Sequence, residues 1–190
     1  MNLNPEIEEQ IKNEAMKYLV KGRVGYDAPH TLAAVHYMRE LIKNEGGDER
    51  ILVTTMYLHD LGYPELKPGY TIHDVKKTKK EHPTLSVKRA REVLEKINDF
   101  TTIEIEKILF LILHHDDLEG IDTHDQQLVF EADNLGKIDP DRVKPSFKKD
   151  NCLIFLKHFK EKRMPLFKTK TGKAILNKLL PKLEKYVTAT

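Results

Sequence analysis

Imidazoles and carboxylates recur at the ends of helical stretches along this 190-residue chain: His30, the adjacent His59-Asp60, His82, the pair His114-His115, and Asp133. Helix ends that meet at one side of a bundle would gather these groups from distant parts of the sequence, which is how a bundle builds a metal site. The donors are nitrogen and oxygen without thiolate, a set that suits Mn, Fe, Ni, Co, Zn or Mg and does not choose among them. Successive helical residues point about 100° apart. His59 and Asp60 can therefore serve one centre only near a helix end, and Gly62 puts an end there. A lone helix-terminal histidine usually caps a carbonyl or fills a hydrogen bond; joint placement is what makes this set informative. His36, His73, His124 and His158 are assigned to packing or surface roles, and Cys152 to the core.

The elements that must position these groups read as helices. Ile7, Ile11, Ala15 and Leu19 mark a first amphipathic helix. Asp27 offers an N-cap and Pro29 a first turn for a second, whose apolar stripe is Leu32, Val35, Met38, Leu41 and Ile42 before Gly46-Gly47. A third covers about 48–60. Residues 62–81, with Pro64, Pro68, Gly69 and Lys76, Lys77, Lys79 and Lys80, read as a long polar loop. Pro83 opens a fourth helix to Ile97, and the capping-box spacing of Thr101 and Glu104 starts a fifth that ends near His114 and His115. A sixth spans Gln126 to Leu135 with Gly136 after it, and two more lie near 147–163 and 171–187. Strand-like alternation is nearly absent. The expected fold is all-α: one single-domain helical bundle over 1–190, with a core at about 24–140 and a basic helical extension at 141–190.

Composition narrows the class. Hydrophobic residues make up 39% and charged residues 33%, enough apolar material for a core and too much for wholesale disorder. The longest apolar run, Ile108 to Leu113, is far short of the roughly 18–20 residues a membrane-spanning helix needs. Acids at Glu6, Glu8, Glu9 and Glu14 argue against a secretory signal, and a single cysteine makes no disulfide framework. A cytoplasmic protein is the expectation. Residues 1–136 carry 17 Lys and Arg against 25 Asp and Glu, whereas residues 137–190 carry 15 against 5. A basic tail can attract nucleic acid, but a solvated lysine-rich face accounts for it more simply, so nucleic acid is not the favoured partner.

The order His30, then His59-Asp60, then Asp133 resembles the HD-domain superfamily of metal-dependent phosphohydrolases. The likeness rests on His30-Thr-Leu-Ala-Ala-Val, Tyr57-Leu58-His59-Asp60-Leu61-Gly62 and Glu131-Ala132-Asp133-Asn134-Leu135, and covers roughly 24–140. The segment 167–173 is similar, more loosely, to one that follows the core in small nucleotide-cleaving members. Where the family usually has a basic residue after Ala-Asp, this chain has Asn134. The resemblance implies that His30, His59, Asp60 and Asp133 bind one divalent ion. His82, His114 and His115 match the places where some members hold a second, with the namesake aspartate bridging. Both His114 and His115 are carried as ligands, and one or two ions remain open.

The reaction implied is hydrolysis of a phosphate ester or anhydride, most often of a nucleotide, by metal-activated water. Asp60 would orient the nucleophile, and a protonated His82 or His115 would protonate the leaving oxygen. Arg23, Lys76 and Lys77 would hold the phosphate. Tyr26, Tyr63 and Tyr70 lie near these residues in sequence and could stack on a base. Two other readings stand beside this one: a non-catalytic module in which metal staples a helical bundle, and a diiron oxygenase of the same fold.

Overall fold

Side-chain caps set where the helices of this chain begin. The computed structural model describes residues 2–66, 70–79, 81–144 and 149–189. Asn4, Asp48, Thr71, Thr101 and Thr123 each accept a hydrogen bond from a backbone N–H of the turn that follows, which satisfies a donor the helix itself cannot pair. The elements are α1 (Pro5–Leu19), α2 (Asp27–Glu45), α3 (Glu49–Leu58), α4 (Ile72–Thr78), α5 (His82–Ile97), α6 (Thr102–His114), α7 (His124–Lys137), α8 (Lys149–His158) and α9 (Lys170–Ala189). Among the described residues there is no strand, only an isolated parallel bridge between Arg23 and Leu66. The all-α expectation holds. No helix among them is long and apolar enough to cross a membrane.

Several boundaries differ from the sequence reading, each for a local reason. The supposed loop at 62–81 contains α4, started by a reciprocal capping box between Thr71 and Asp74. Pro68, Gly69 and Lys80 of that stretch lie outside the described residues. Asp27 is not an N-cap but the first residue of α2, and its carboxylate accepts instead from the Arg23 backbone N–H (2.6 Å) and Nε (2.5 Å). Gly136 does not stop α7 but lies within it. A Cβ there would sit 3.0 Å from the Ala34 nitrogen, so the bare glycine lets α2 and α7 approach closely. The expected helix at 147–163 is α8 followed by a π-helical turn (Phe159–Arg163) and a 3-10 turn (Met164–Leu166); residues 147 and 148 lie outside the described set.

The core is continuous across these helices. Ile11, Met38, Leu41, Leu52, Met56, Leu94, Ile108 and Phe130 are fully buried, and each large side chain so buried contributes about 1.5–3 kcal/mol relative to exposure. Cys152 belongs to this core, as expected. α2 and α7 pack side by side at its centre, and α9 lies across both.

The segment 167–173 ties α9 to the core through a buried acid. Glu131 of α7 accepts from the backbone N–H groups of Lys168 (2.7 Å) and Thr169 (2.9 Å), from the Thr169 hydroxyl, and from Gln127 Nε2 (2.7 Å). Its acidic side chain thus sits at the N-terminus of α9, where the helix dipole favours negative charge. Gly172 faces the same group, at a point where a Cβ would collide with it. Glu131→Ala is expected to destabilise the protein by about 2–4 kcal/mol, because several buried donors lose their acceptor together. Urea unfolding checks this; a midpoint unchanged from wild type would show the clamp to be dispensable.

Candidate metal centre

Six groups meet where the helix ends converge. His30 is in the first turn of α2, His59 and Asp60 follow the last turn of α3, and His82 is the first residue of α5. His115 caps the C-terminus of α6, and Asp133 lies late in α7. All are buried. A close crossing brings His82 to Asp60. The Gly62 N–H donates to Ser86 Oγ (2.8 Å), and a Cβ on Gly62 would lie 2.6 Å from the Ser86 nitrogen and nearer still to the His82 carbonyl. Only a residue without a side chain permits that approach.

The groups form two sets. In the first, His30 Nε2 lies 3.1 Å from Asp133 Oδ1, and His59 Nε2 lies 3.3 Å from His30 Nε2 and 3.4 Å from Asp133 Oδ1. In the second, His82 Nε2 and His115 Nε2 are 3.3 Å apart and lie 3.7 and 3.4 Å from Asp60 Oδ1. The other oxygen of the same carboxylate, Asp60 Oδ2, is 3.5 Å from His30 Nε2 and 3.4 Å from His59 Nε2. Asp60 therefore presents one oxygen to each set.

The hydrogen bonds behind the rings make the case for a cation. His59, His82 and His115 each place Nδ1 on a main-chain carbonyl, that of Met56 (2.8 Å), Lys79 (3.1 Å) and Ile112 (2.6 Å) respectively. A carbonyl only accepts, so Nδ1 carries the proton and Nε2 of a neutral ring carries a lone pair. Two such lone pairs facing each other at 3.3 Å between His82 and His115 repel unless something positive lies between them. The oriented imidazoles with backbone support and the two carboxylates fit a divalent ion.

Burial and charge act on these groups together. Burial pushes His30 and His82 down to about 4, which favours the neutral, ligating form. Burial also opposes the charge on Asp60, but His59, His115, Arg23 and His30 together hold it well below the usual carboxylate range. Asp133 is likewise held low against its burial, chiefly by Lys137 and then by His30 and His59.

The structure redistributes several expected roles. His114 is turned out of the cluster, half-exposed, with its Nδ1 3.8 Å from Asp117 Oδ2 and its ring against Phe110. It neighbours His115 on a helix, so one of the two must face away. Arg23 is not free to hold phosphate: its guanidinium spans Asp60 Oδ2 (2.8 Å) and Asp27 Oδ1 (2.5 Å) and lies over the Tyr63 ring. Lys76 and Lys77 are exposed on α4, and it is Lys79 that reaches toward the centre, 3.9 Å from Asp116 Oδ2. His82 and His115 cannot be proton donors and ligands at once, since each has its Nδ1 on a carbonyl and its other nitrogen, Nε2, turned toward Asp60. Tyr26 and Tyr63 are not available to a base either, being buried and stacked on His30 and His82.

Sequence reasoning missed the charged groups that meet at Asp116. Asp116, next to His115, accepts from Arg163 (2.9 Å) and lies 3.8 Å from Lys137 Nζ, while Lys137 also pairs with Asp133. Arg163 reaches in from the π-helical turn and donates to Asn134 Oδ1 (3.0 Å). The i,i+4 spacing of Asp133 and Lys137 was a readable signal; nothing in the sequence pointed to Arg163.

A family model for the HD domain matches residues 28–137, more than half of the chain. Two solved structures share the fold. The Lin1889 protein of Listeria innocua is 17% identical with a TM-score of 0.61, over 97% of this chain and 93% of that one. A protein of Lactobacillus plantarum is 17% identical with a TM-score of 0.60, over 98% and 96%. At that identity the likeness is one of fold. No curated protein matches the sequence significantly. The matched region contains all six clustered groups in the expected order, and the chain belongs to the HD-domain superfamily of metal-dependent phosphohydrolases.

Proposed function

We propose that the protein hydrolyses a phosphate ester or anhydride of a small substrate, a nucleotide being the favoured class, at two divalent ions. The observation that carries the reading is Asp60, whose two oxygens face two separate histidine sets. His30, His59, Asp133 and Asp60 Oδ2 would hold one ion; Asp60 Oδ1, His82 and His115 would hold the other. Bound ions of this kind acidify a water toward neutrality and offset charge on the phosphoryl oxygens. The chain's own contribution is positional. Arg23 and Asp27 brace Asp60 from behind, the three carbonyls fix the imidazole planes, and burial keeps bulk water from competing.

Elemental analysis of manganese-loaded protein should find two ions per chain, and His82→Ala about one. A wild-type content of one, unaltered in His82→Ala, would leave a single-ion site with His82 outside it. Hydrolysis should appear in a screen of nucleotides, sugar phosphates and cyclic nucleotides, read as phosphate or pyrophosphate released and, for the cyclic compounds, as the monophosphate formed, and should vanish after chelation. Silence across that screen with each of Mn, Ni, Co, Fe, Zn and Mg would overturn the hydrolytic reading.

A further inference from the structure

We propose that Lys79, Lys137 and Arg163 form a subsite for a second phosphoryl group, so that the preferred substrate carries two consecutive phosphates. This rests on the hydrolytic reading above and narrows it. The three cations come from separate elements, the end of α4, the last turn of α7 and the π-helical turn, and all converge on the one carboxylate of Asp116. Arg163 is only 6% exposed, and a charge so buried is costly unless anions surround it. Its described partners are Asp116 and the neutral amide of Asn134. Asp133 lies within electrostatic range of all three but is shared with the first histidine set, so three positive groups face two carboxylates, and Asp116 is the one not committed elsewhere in that set. The excess suits a phosphate dianion.

Position matches charge. Asp116 Oδ2 and Asp60 Oδ1 each lie 3.7 Å from the same atom, His82 Nε2. The cationic pocket and the second histidine set are therefore adjacent on the scale of neighbouring phosphoryl groups joined by one oxygen. A monoester seated over Asp60 would leave the trio unused, whereas a phosphoanhydride would fill both. Lys79 is the outermost of the three, with a side chain 40% exposed, and marks the side from which a substrate would enter.

Methylenediphosphonate, whose P–C–P link resists hydrolysis, and methylphosphonate are the probes, titrated calorimetrically into the protein with and without manganese. In manganese-loaded protein the diphosphonate should bind at least about tenfold more tightly than the monophosphonate, and Lys79→Met should weaken it about tenfold while changing methylphosphonate by less than about twofold. Because Arg163→Met leaves Asp116 and Asn134 without a buried donor, Arg163→Lys serves there and should show a smaller loss of the same preference. In turnover, Lys79→Met should raise KM for phosphoanhydrides with little change in kcat. An affinity ratio in loaded protein unaffected by Lys79→Met overturns the subsite. Without manganese the trio should hold methylphosphonate as well, and Lys79→Met should weaken that binding about tenfold; no weakening there overturns the subsite even if the loaded protein releases no phosphate, so failure of the hydrolytic reading and failure of the subsite give different results.

Discussion

Asp60→Asn is expected to lower turnover at least about a thousandfold, roughly 4 kcal/mol of transition-state stabilisation, and to empty at least one of the two ion positions while leaving helical circular dichroism intact. The side chain keeps its volume, so packing against the buried surroundings is retained. Chemistry is what changes. One carboxylate oxygen becomes an NH2 that cannot coordinate an ion, and whichever way the amide turns, one histidine set loses its shared oxygen. If the NH2 faces Arg23, two donors oppose each other at a 2.8 Å contact; if it faces His82 and His115, the second set is blocked. Asp27 still pairs with Arg23, so the guanidinium is not left alone in the interior. Metal content by elemental analysis and turnover in the same preparation check the result. A variant that keeps two ions and loses less than about tenfold in rate would remove Asp60 from the centre of the scheme.

Gly62→Ala should have the largest effect on folding. Overpacking usually costs about 1–3 kcal/mol when side chains can shift, but here the obstacles are main-chain atoms, the Ser86 nitrogen at 2.6 Å and the nearer His82 carbonyl. Relief requires α5 to move off the turn after α3, which would also break the bond from the Gly62 N–H to Ser86 Oγ and pull His82 from Asp60. The expected loss exceeds about 3 kcal/mol in urea unfolding, and any folded fraction should hold fewer ions than wild type. An unchanged unfolding midpoint would mean that the crossing is looser than its geometry indicates.

How much could be read beforehand depended on the range of the interaction. The helices with apolar stripes were legible because their signal is local and periodic, as in Leu32, Val35, Met38 and Leu41. α4 has no such stripe and only the Thr71–Asp74 cap, which a search for periodicity passes over. The choice between His114 and His115 was not legible: residues 108–113 are apolar at every position, and only the fold shows that Ile108, Leu111 and Ile112 are buried on the side that His115 continues. Arg23 misled because an arginine ahead of a motif looks available for phosphate, and only the fold shows that Asp27 and Asp60 already flank it. Arg163 was out of reach for a similar reason. Its partners Asn134 and Asp116 lie 29 and 47 residues away, with a change in helical winding between.

The stacking of Tyr26 on His30 and of Tyr63 on His82 has an optical consequence. The chain contains seven tyrosines and no tryptophan, so its ultraviolet emission comes from phenol rings, two of which lie directly against imidazoles of different sets. A paramagnetic ion entering either set would stand close to both rings, which flank the same Arg23 guanidinium, and replacing both tyrosines with phenylalanine would remove that part of the quenching. Tyrosine emission would thus report the arrival of metal at this centre without an added label.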